Sequence, residues 1–392
     1  MEDLSTASSS HLHKMEQTSV CKDCSVPMTT ASLAGGTSDL ISWQDVRLIR
    51  LVIAFLITVL QLVLGIPGNV LSALVFYRQG LRERINLCLF ALALTDLVVS
   101  LYYALLTMEE QLRELFLLDA WLVKIHFVAC VGFLWASQFL SAVIASERCF
   151  CVVSPFHAKR LLKTSTMAAI IVVCSSLILC GFCAAVPGRF SATSIVDPVT
   201  NTSKTKFSVT RYYLDNQKVM DILDVFVYAT ALPSIFFIII VVTTAVVAVK
   251  LQSALAWRNS VATSETTQVS KDVSTSKARL SSKEVAVTRM LIGTSLVFIV
   301  CAIPNLCGQL ASFIVPDLSY TGKFYNLYSL MWAVIGLFRS INSSLNFVVY
   351  YVMSSKFRVT LYTLLGCWCK GHKSRPDVSC NVVSSDMTKS LA

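Results

Sequence analysis

Charged residues are scarce in this sequence. Only 14% of its 392 residues are Asp, Glu, Lys or Arg, where a soluble globular chain carries about 25%. The deficit excludes an ordinary soluble domain. Together with 55% apolar residues and a mean hydropathy of +0.66, it assigns the chain to the membrane class. Acid is scarcer than base, and the formal net charge is +10. A nucleic-acid binder would gather such basic residues on a polar domain. Here they fall in short segments between long apolar runs, which argues against nucleic acid as a partner. There is no nucleophile elbow, no metal-ligand spacing and no phosphate-binding loop, so an enzyme is not expected. No internal repeat of the kind found in transporters is present. The first 47 residues lack the apolar core of a signal peptide, so the first apolar run is expected to act as its own membrane signal. Of the 14 cysteines, Cys130, Cys174, Cys180, Cys183, Cys301 and Cys307 lie within apolar runs, where they read as small hydrophobes. Cys21 and Cys24 lie in a polar segment, as a local disulfide, as free thiols or as a redox pair.

What is present is long apolar runs. A helix needs about 20 apolar residues to cross about 30 Å of hydrocarbon. Seven stretches qualify, near 49–77, 86–108, 121–150, 166–187, 220–249, 285–314 and 326–353, the third and seventh being the most polar. The expected fold is an all-α membrane protein: a seven-transmembrane helix bundle, 49–353, followed by a cytoplasmic tail, 354–392, that opens with a short amphipathic helix. Residues 1–48 read as an extracellular disordered tail. The segment 250–284, a run of Ser, Thr and Lys over 259–282, reads as a largely disordered cytoplasmic loop. Lys and Arg crowd the segments 78–85, 151–165, 250–284 and 354–392, while the loop 109–120 is acidic. The positive-inside rule then puts the N-terminus outside and the C-terminus in the cytoplasm. The loop 188–219 is mildly basic and runs against that trend. Asn201-Thr202-Ser203, a glycosylation acceptor, falls in the same outside loop.

Polar side chains inside a bilayer are costly and point to function. Asp96 sits within the second span, Asn69 in the first and Ser137 in the third. In the seventh, Arg339, Asn342, Asn346 and Tyr350 recur at spacings of 3, 4 and 4, with Ser343 beside them, so they share one helix face. A buried carboxylate in this company needs a proton or a small cation such as sodium. The alternative is a satisfied hydrogen-bond network that holds the bundle together. At the cytoplasmic end of the third span stand Glu147 and Arg148. Glu284, at the start of the sixth, is placed to pair with Arg148 and tie the two helices.

In this order and spacing the residues resemble the rhodopsin-like (class A) G-protein-coupled receptors. The marks are Gly68-Asn69, Leu92 with Asp96, Glu147-Arg148, Pro233, Phe298 with Cys301 and Pro304, and Asn346 with Tyr350. The stretch from Asn346 to Arg358 further resembles invertebrate members, the mollusc chemosensory-receptor-like group and orphan peptide-type receptors. The departures are as specific. Ala302 stands where the family has Trp beside the sixth-span Pro, Phe347 where it has Pro after the seventh-span Asn, and Cys149 where it has Tyr after the third-span Arg. Cys174-Ser175-Ser176 replaces the usual fourth-span Trp region, and Val241 a common fifth-span Tyr. The family's outer disulfide is missing on both sides: Val123 occupies the helix position, and no Cys occurs between 188 and 219.

The resemblance implies an extracellular ligand, peptide or small chemosensory molecule, in the outer half of the bundle, and a heterotrimeric G protein on the inside. It implies sodium at Asp96, held with Asn69, Ser137, Asn342, Ser343 and Asn346, and no other cofactor. It makes Glu147, Arg148, Glu284 and Tyr350 the coupling switch and Pro233 and Pro304 the helix bends. Receptor kinases and arrestin are further expected partners through the Ser/Thr runs, and Cys367 and Cys369 are candidate palmitoylation sites just past the short helix. The plasma membrane is the expected location. Retinal is disfavoured because Ser340 stands where an opsin has Lys, and an amine because Cys130 stands where an amine receptor has Asp. The expected pocket lies near Cys130, Trp135, Gln138 and Arg339. Two roles for Arg339 stay open: capture of an anionic ligand group with Lys124 or His126, or an internal pair with Asp221 or Asp224. A transporter or channel with seven spans is the alternative reading.

Overall fold

The computed structural model describes residues 41–112, 120–185, 190–196, 203–216, 230–264, 282–319 and 322–371, with Val219, Val227 and Tyr228 between. Seven long helices follow one another: α1 (Trp43–Gln79), α2 (Arg84–Leu112), α3 (Ala120–Val153), α4 (Thr164–Ala185), α5 (Leu232–Ser264), α6 (Ser282–Ile314) and α7 (Tyr325–Met353). An eighth, α8 (Ser355–Gly371), turns away from the end of α7. Six of the seven are apolar and long enough to cross a bilayer. The polar residues of α7, Asn326, Arg339, Asn342 and Asn346 among them, keep it out of that set, although its 29 residues have the length. Outward-facing side chains such as Phe55, Val63, Val172, Leu177 and Ile238 are large, apolar and exposed, as a lipid-facing surface requires.

Local chemistry sets the boundaries. Ser42 caps α1, its hydroxyl accepting from Gln44 N at 3.3 Å, and Asp45 in the first turn faces the positive end of the helix dipole. The helix therefore starts six residues before the expected span, inside the segment read as a disordered tail. It ends at Gly80, whose φ of +96° suits glycine. Asn86 closes the turn into α2 by donating to the Gln79 and Gly80 carbonyls at 3.4 and 3.1 Å. At the other end of the bundle, Ser354 accepts from Phe357 N at 3.2 Å and so starts α8. Arg358 donates to the Tyr351 and Val352 carbonyls at 2.9 and 2.8 Å, satisfying the last turn of α7.

One expected loop is corrected, one element is added, and the expected start of the fifth span at 220 lies outside the described residues. The regular part of the fifth helix begins at Leu232, after π-helical turns at Val227, Tyr228, Thr230 and Ala231, and runs on to Ser264. The loop expected to be largely disordered from 250 is thus helical for its first fifteen residues and again from Ser282. Within the expected all-α bundle, the loop between α4 and α5 carries an antiparallel hairpin that was not expected, β1 (Phe190–Val196) paired with β2 (Ser203–Val209) from Phe190↔Val209 to Val196↔Ser203. Its strands are rich in β-branched and alternating residues, a signal passed over beside the longer helical runs. It gives the outer loop an internal scaffold in place of the missing disulfide.

The largest packed cluster lies at the α8 end, where Phe76, Leu89, Leu140, Met167, Tyr350 and Phe357 bring six helices together. Phe76 meets Tyr350 edge-on at 5.2 Å and Phe357 at 5.6 Å. Lipid offers no hydrophobic drive between helices, so such close packing carries the association.

Candidate functional site

A column of polar residues runs along the bundle between the hairpin end and the α8 end. At its centre is Asp96 on α2, 1% exposed. Its Oδ1 accepts from Ser137 Oγ on α3 at 2.6 Å, and its Oδ2 from Asn346 Nδ2 on α7 at 2.8 Å. Three helices are joined through one carboxylate. Asn69 on α1 donates to the Ser343 carbonyl at 2.9 Å and reaches Ser100 Oγ at 3.5 Å.

The first helix inserts a second amide. Gln61 opens a π-helical turn, Gln61–Gly65, and is fully buried. Its Nε2 donates to the carbonyl and hydroxyl of Ser340, and its Oε1 accepts from Ser344 Oγ at 3.3 Å. Room for this comes from Gly65, where a Cβ would meet Gln61 Oε1 at 2.0 Å and Ser100 Oγ at 2.9 Å. The extra residue of a π turn redirects the side chain into the bundle, a device common at functional positions.

A turn nearer the hairpin end, Arg339 Nη2 donates to Asn305 Oδ1 on α6 at 2.7 Å. The guanidinium carbon lies 5.8 Å from the ring centroid of Trp135 and 5.8 Å from that of Trp332. Its Nε is buried without a hydrogen-bond partner. Arg339 and Asp96 line a common cavity of about 20 Å³, walled by Leu134 and Phe298 and reached by Gln138 and Asn342. That is space for one or two waters or an ion.

At the α8 end, Glu147 is 3% exposed. Its Oε2 lies 2.7 Å from Arg148 Nε, an ion pair out of line for a hydrogen bond. Its Oε1 accepts from Cys151 Sγ at 3.3 Å and faces Arg84 Nε at 3.8 Å. Arg84 also donates to the Ala158 and Leu162 carbonyls at 2.9 and 2.8 Å, fastening α2 to the short helix Pro155–Leu161. Tyr350, buried between these groups and α8, has a hydroxyl with no partner.

Compared with known families, residues 68–350 match the 7 transmembrane receptor (rhodopsin family). The chain belongs to this family. It is a multi-pass membrane receptor, and a transporter or channel is set aside. No individual curated protein matches it.

In the receptor, Asp96, Ser137 and Asn346 form one hydrogen-bonded set and Asn69 and Ser343 another, while Asn342 lines the cavity with Asp96 and Ser343 without a hydrogen bond among the described residues. Cys130 and Trp135 are buried close to Arg339. Pro304 lies inside α6, where its missing N–H leaves a carbonyl of the previous turn unpaired. Pro233 sits instead at the start of α5, directly after the π-helical turns. Cys367 and Cys369 are on α8 itself rather than past it. Arg148 takes its carboxylate from the adjacent residue; the side chains of Glu284, Lys124 and His126 lie outside the described residues, as do Asp221, Asp224, Asn201, Cys21 and Cys24. Sequence reasoning missed Gln61, Ser344, Arg84, Asn305 and Trp332. A lone Gln in the apolar run Leu60–Gly65 was a readable sign; the others carry no local signal.

Proposed function

We propose that this receptor binds an extracellular ligand at the hairpin end and activates a heterotrimeric G protein at the α8 end. The observation that carries the reading is a polar stretch from Arg339 to Asp96, joined across the apolar cluster of Leu89, Leu140 and Tyr350 to the Glu147–Arg148 pair on the same helices. Buried hydrogen-bond networks that cross several helices have discrete arrangements, and a ligand that prefers one of them shifts the population. In the resting arrangement Glu147 holds Arg148; release of Arg148 would expose a cation at the cytoplasmic face, where Tyr350 has a hydroxyl to offer. The N-terminus and the hairpin are outside, and α8 lies along the inner leaflet at the plasma membrane. The ligand is a peptide or a small chemosensory molecule. Arrestin and receptor kinases act on the Ser/Thr-rich segments, and Cys367 and Cys369 accept lipid. The oxygen set of Asp96, Ser137, Asn342 and Ser343, facing space for an ion, suits sodium, a hard cation that takes oxygen donors. When bound, sodium would supply the counter-charge that Asp96 lacks; the chain's own part is to hold the carboxylate in place through Ser137 and Asn346.

The test is G-protein activation in cells expressing the full chain, with surface expression matched. Acidic small molecules, amino acids and amidated peptides serve as challenges. Arg148→Ala is expected to lower basal and evoked signal about tenfold or more. Replacing sodium by N-methylglucamine should raise basal signal in the wild type and leave Asp96→Asn unmoved. A signal indifferent to Arg148→Ala sinks the coupling reading.

A further inference from the structure

Arg339 is a cation inside a span, and among the described residues no carboxylate lies within ion-pair distance of it. Of its five N–H donors, the neutral amide of Asn305 takes one and the neutral phenol oxygen of Tyr103 is a second partner. Nε is desolvated and unanswered. The rings of Trp135 and Trp332 stabilise the charge through their faces but accept no in-plane hydrogen bond from the fork. An uncompensated guanidinium in a low-dielectric site is expensive. The fork faces a cavity with apolar walls, Leu134 and Phe298. Asn305, with its Oδ1 taken, keeps an amide N–H₂ as a further donor at the same place.

We propose that Arg339, seconded by Asn305, anchors the carboxylate of a ligand with an apolar or aromatic stem. The inference rests on the receptor reading, since it names the ligand chemistry of the hairpin-end pocket. A carboxylate is planar and matches the guanidinium fork with two parallel bonds. A phosphate or sulfate brings more oxygens than one Arg and one amide can answer. The stem points toward the hairpin end, on the side where Trp332 flanks the guanidinium. Small organic acids and the free C-terminus of a peptide present the same group.

The experiment is thermal unfolding of the purified full-length receptor in detergent, which needs no G protein. The probes are 3-phenylpropionate, hexanoate and the tripeptide Ala-Leu-Phe, each beside its primary amide. At least one carboxylate is expected to raise the midpoint with an affinity about ten- to a hundredfold above its amide, and the pairs that respond separate small acid from peptide. Arg339→Gln should remove the difference, and Arg339→Lys should keep only part of it. The wild-type contrast stands even where a variant folds poorly. The proposal is overturned by carboxylates and amides that act alike. It is equally overturned by a carboxylate preference surviving in Arg339→Gln, or by Asp221→Asn or Asp224→Asn lowering stability as much as Arg339→Gln with no further loss in the double variant, the mark of an internal pair. Carboxylate binding without Arg148-dependent signalling would leave this inference intact and fail the coupling reading alone.

Discussion

At the scale of single residues, the least obvious member of the column is Gln61. Its partners Ser340 and Ser344 lie 279 and 283 positions away, so no spacing rule connects them. The rule that an intramembrane polar residue is functional marks the side chain but not its destination. The destination depends on the π turn and on the bare Cα of Gly65. A methyl at Gly65 displaces the Gln61 carboxamide and overpacks the site, at a cost of about 2–4 kcal/mol. Gly65→Ala is therefore expected to lower the thermal midpoint of the purified receptor. Gly336→Ala, where a Cβ meets open space, should leave it equal or slightly higher, because Ala is the better helix former. Equal effects of the two substitutions would remove the role given to Gly65.

At the scale of elements, the hinge of interest is the junction of α7 and α8. Phe357 is 1% exposed and touches Phe76, Phe347 and Tyr350 with centroids 5.6 to 5.9 Å away. It binds α1 and α7 to α8 in a single aromatic cluster. Phe357→Ala is expected to cost about 3 kcal/mol or more and to let α8 detach. Loss of midpoint together with faster proteolysis between 354 and 371 would register both. Tyr362→Phe removes only an exposed 2.7 Å contact with Tyr351 and should be near neutral. The end of the seventh helix was legible, at 353 before Ser354, whereas the cap at Ser42 was passed over and the first helix starts six residues before its expected span. The fifth helix was not legible, because an apolar run shows neither a π turn at its start nor continuation as a helix beyond the bilayer.

At the scale of the whole molecule, the orientation proposed above predicts a glycan. Asn201 lies between β1 and β2 at the hairpin end, so the receptor made in mammalian cells should shift in mobility on treatment with an N-glycosidase. Asn201→Gln should abolish the shift. A glycan-free wild type at the cell surface would count against an outward-facing hairpin.

By itself the sequence determined the membrane class, the number of long helices and the family. These depend on composition, on run length and on short patterns such as Asn346 with Tyr350, which are local properties. It also singled out Asp96, Ser137 and Asn346, because polar groups in lipid must find partners. Only the tertiary structure decided who those partners are. The turn at Gln61–Gly65 sends an amide into α7, Arg84 reaches Glu147 from α2, and Arg339 finds, among the described residues, Asn305 and two indoles. Those choices rest on helix rotation and close packing between segments distant in sequence, and no pattern within a single helix encodes them.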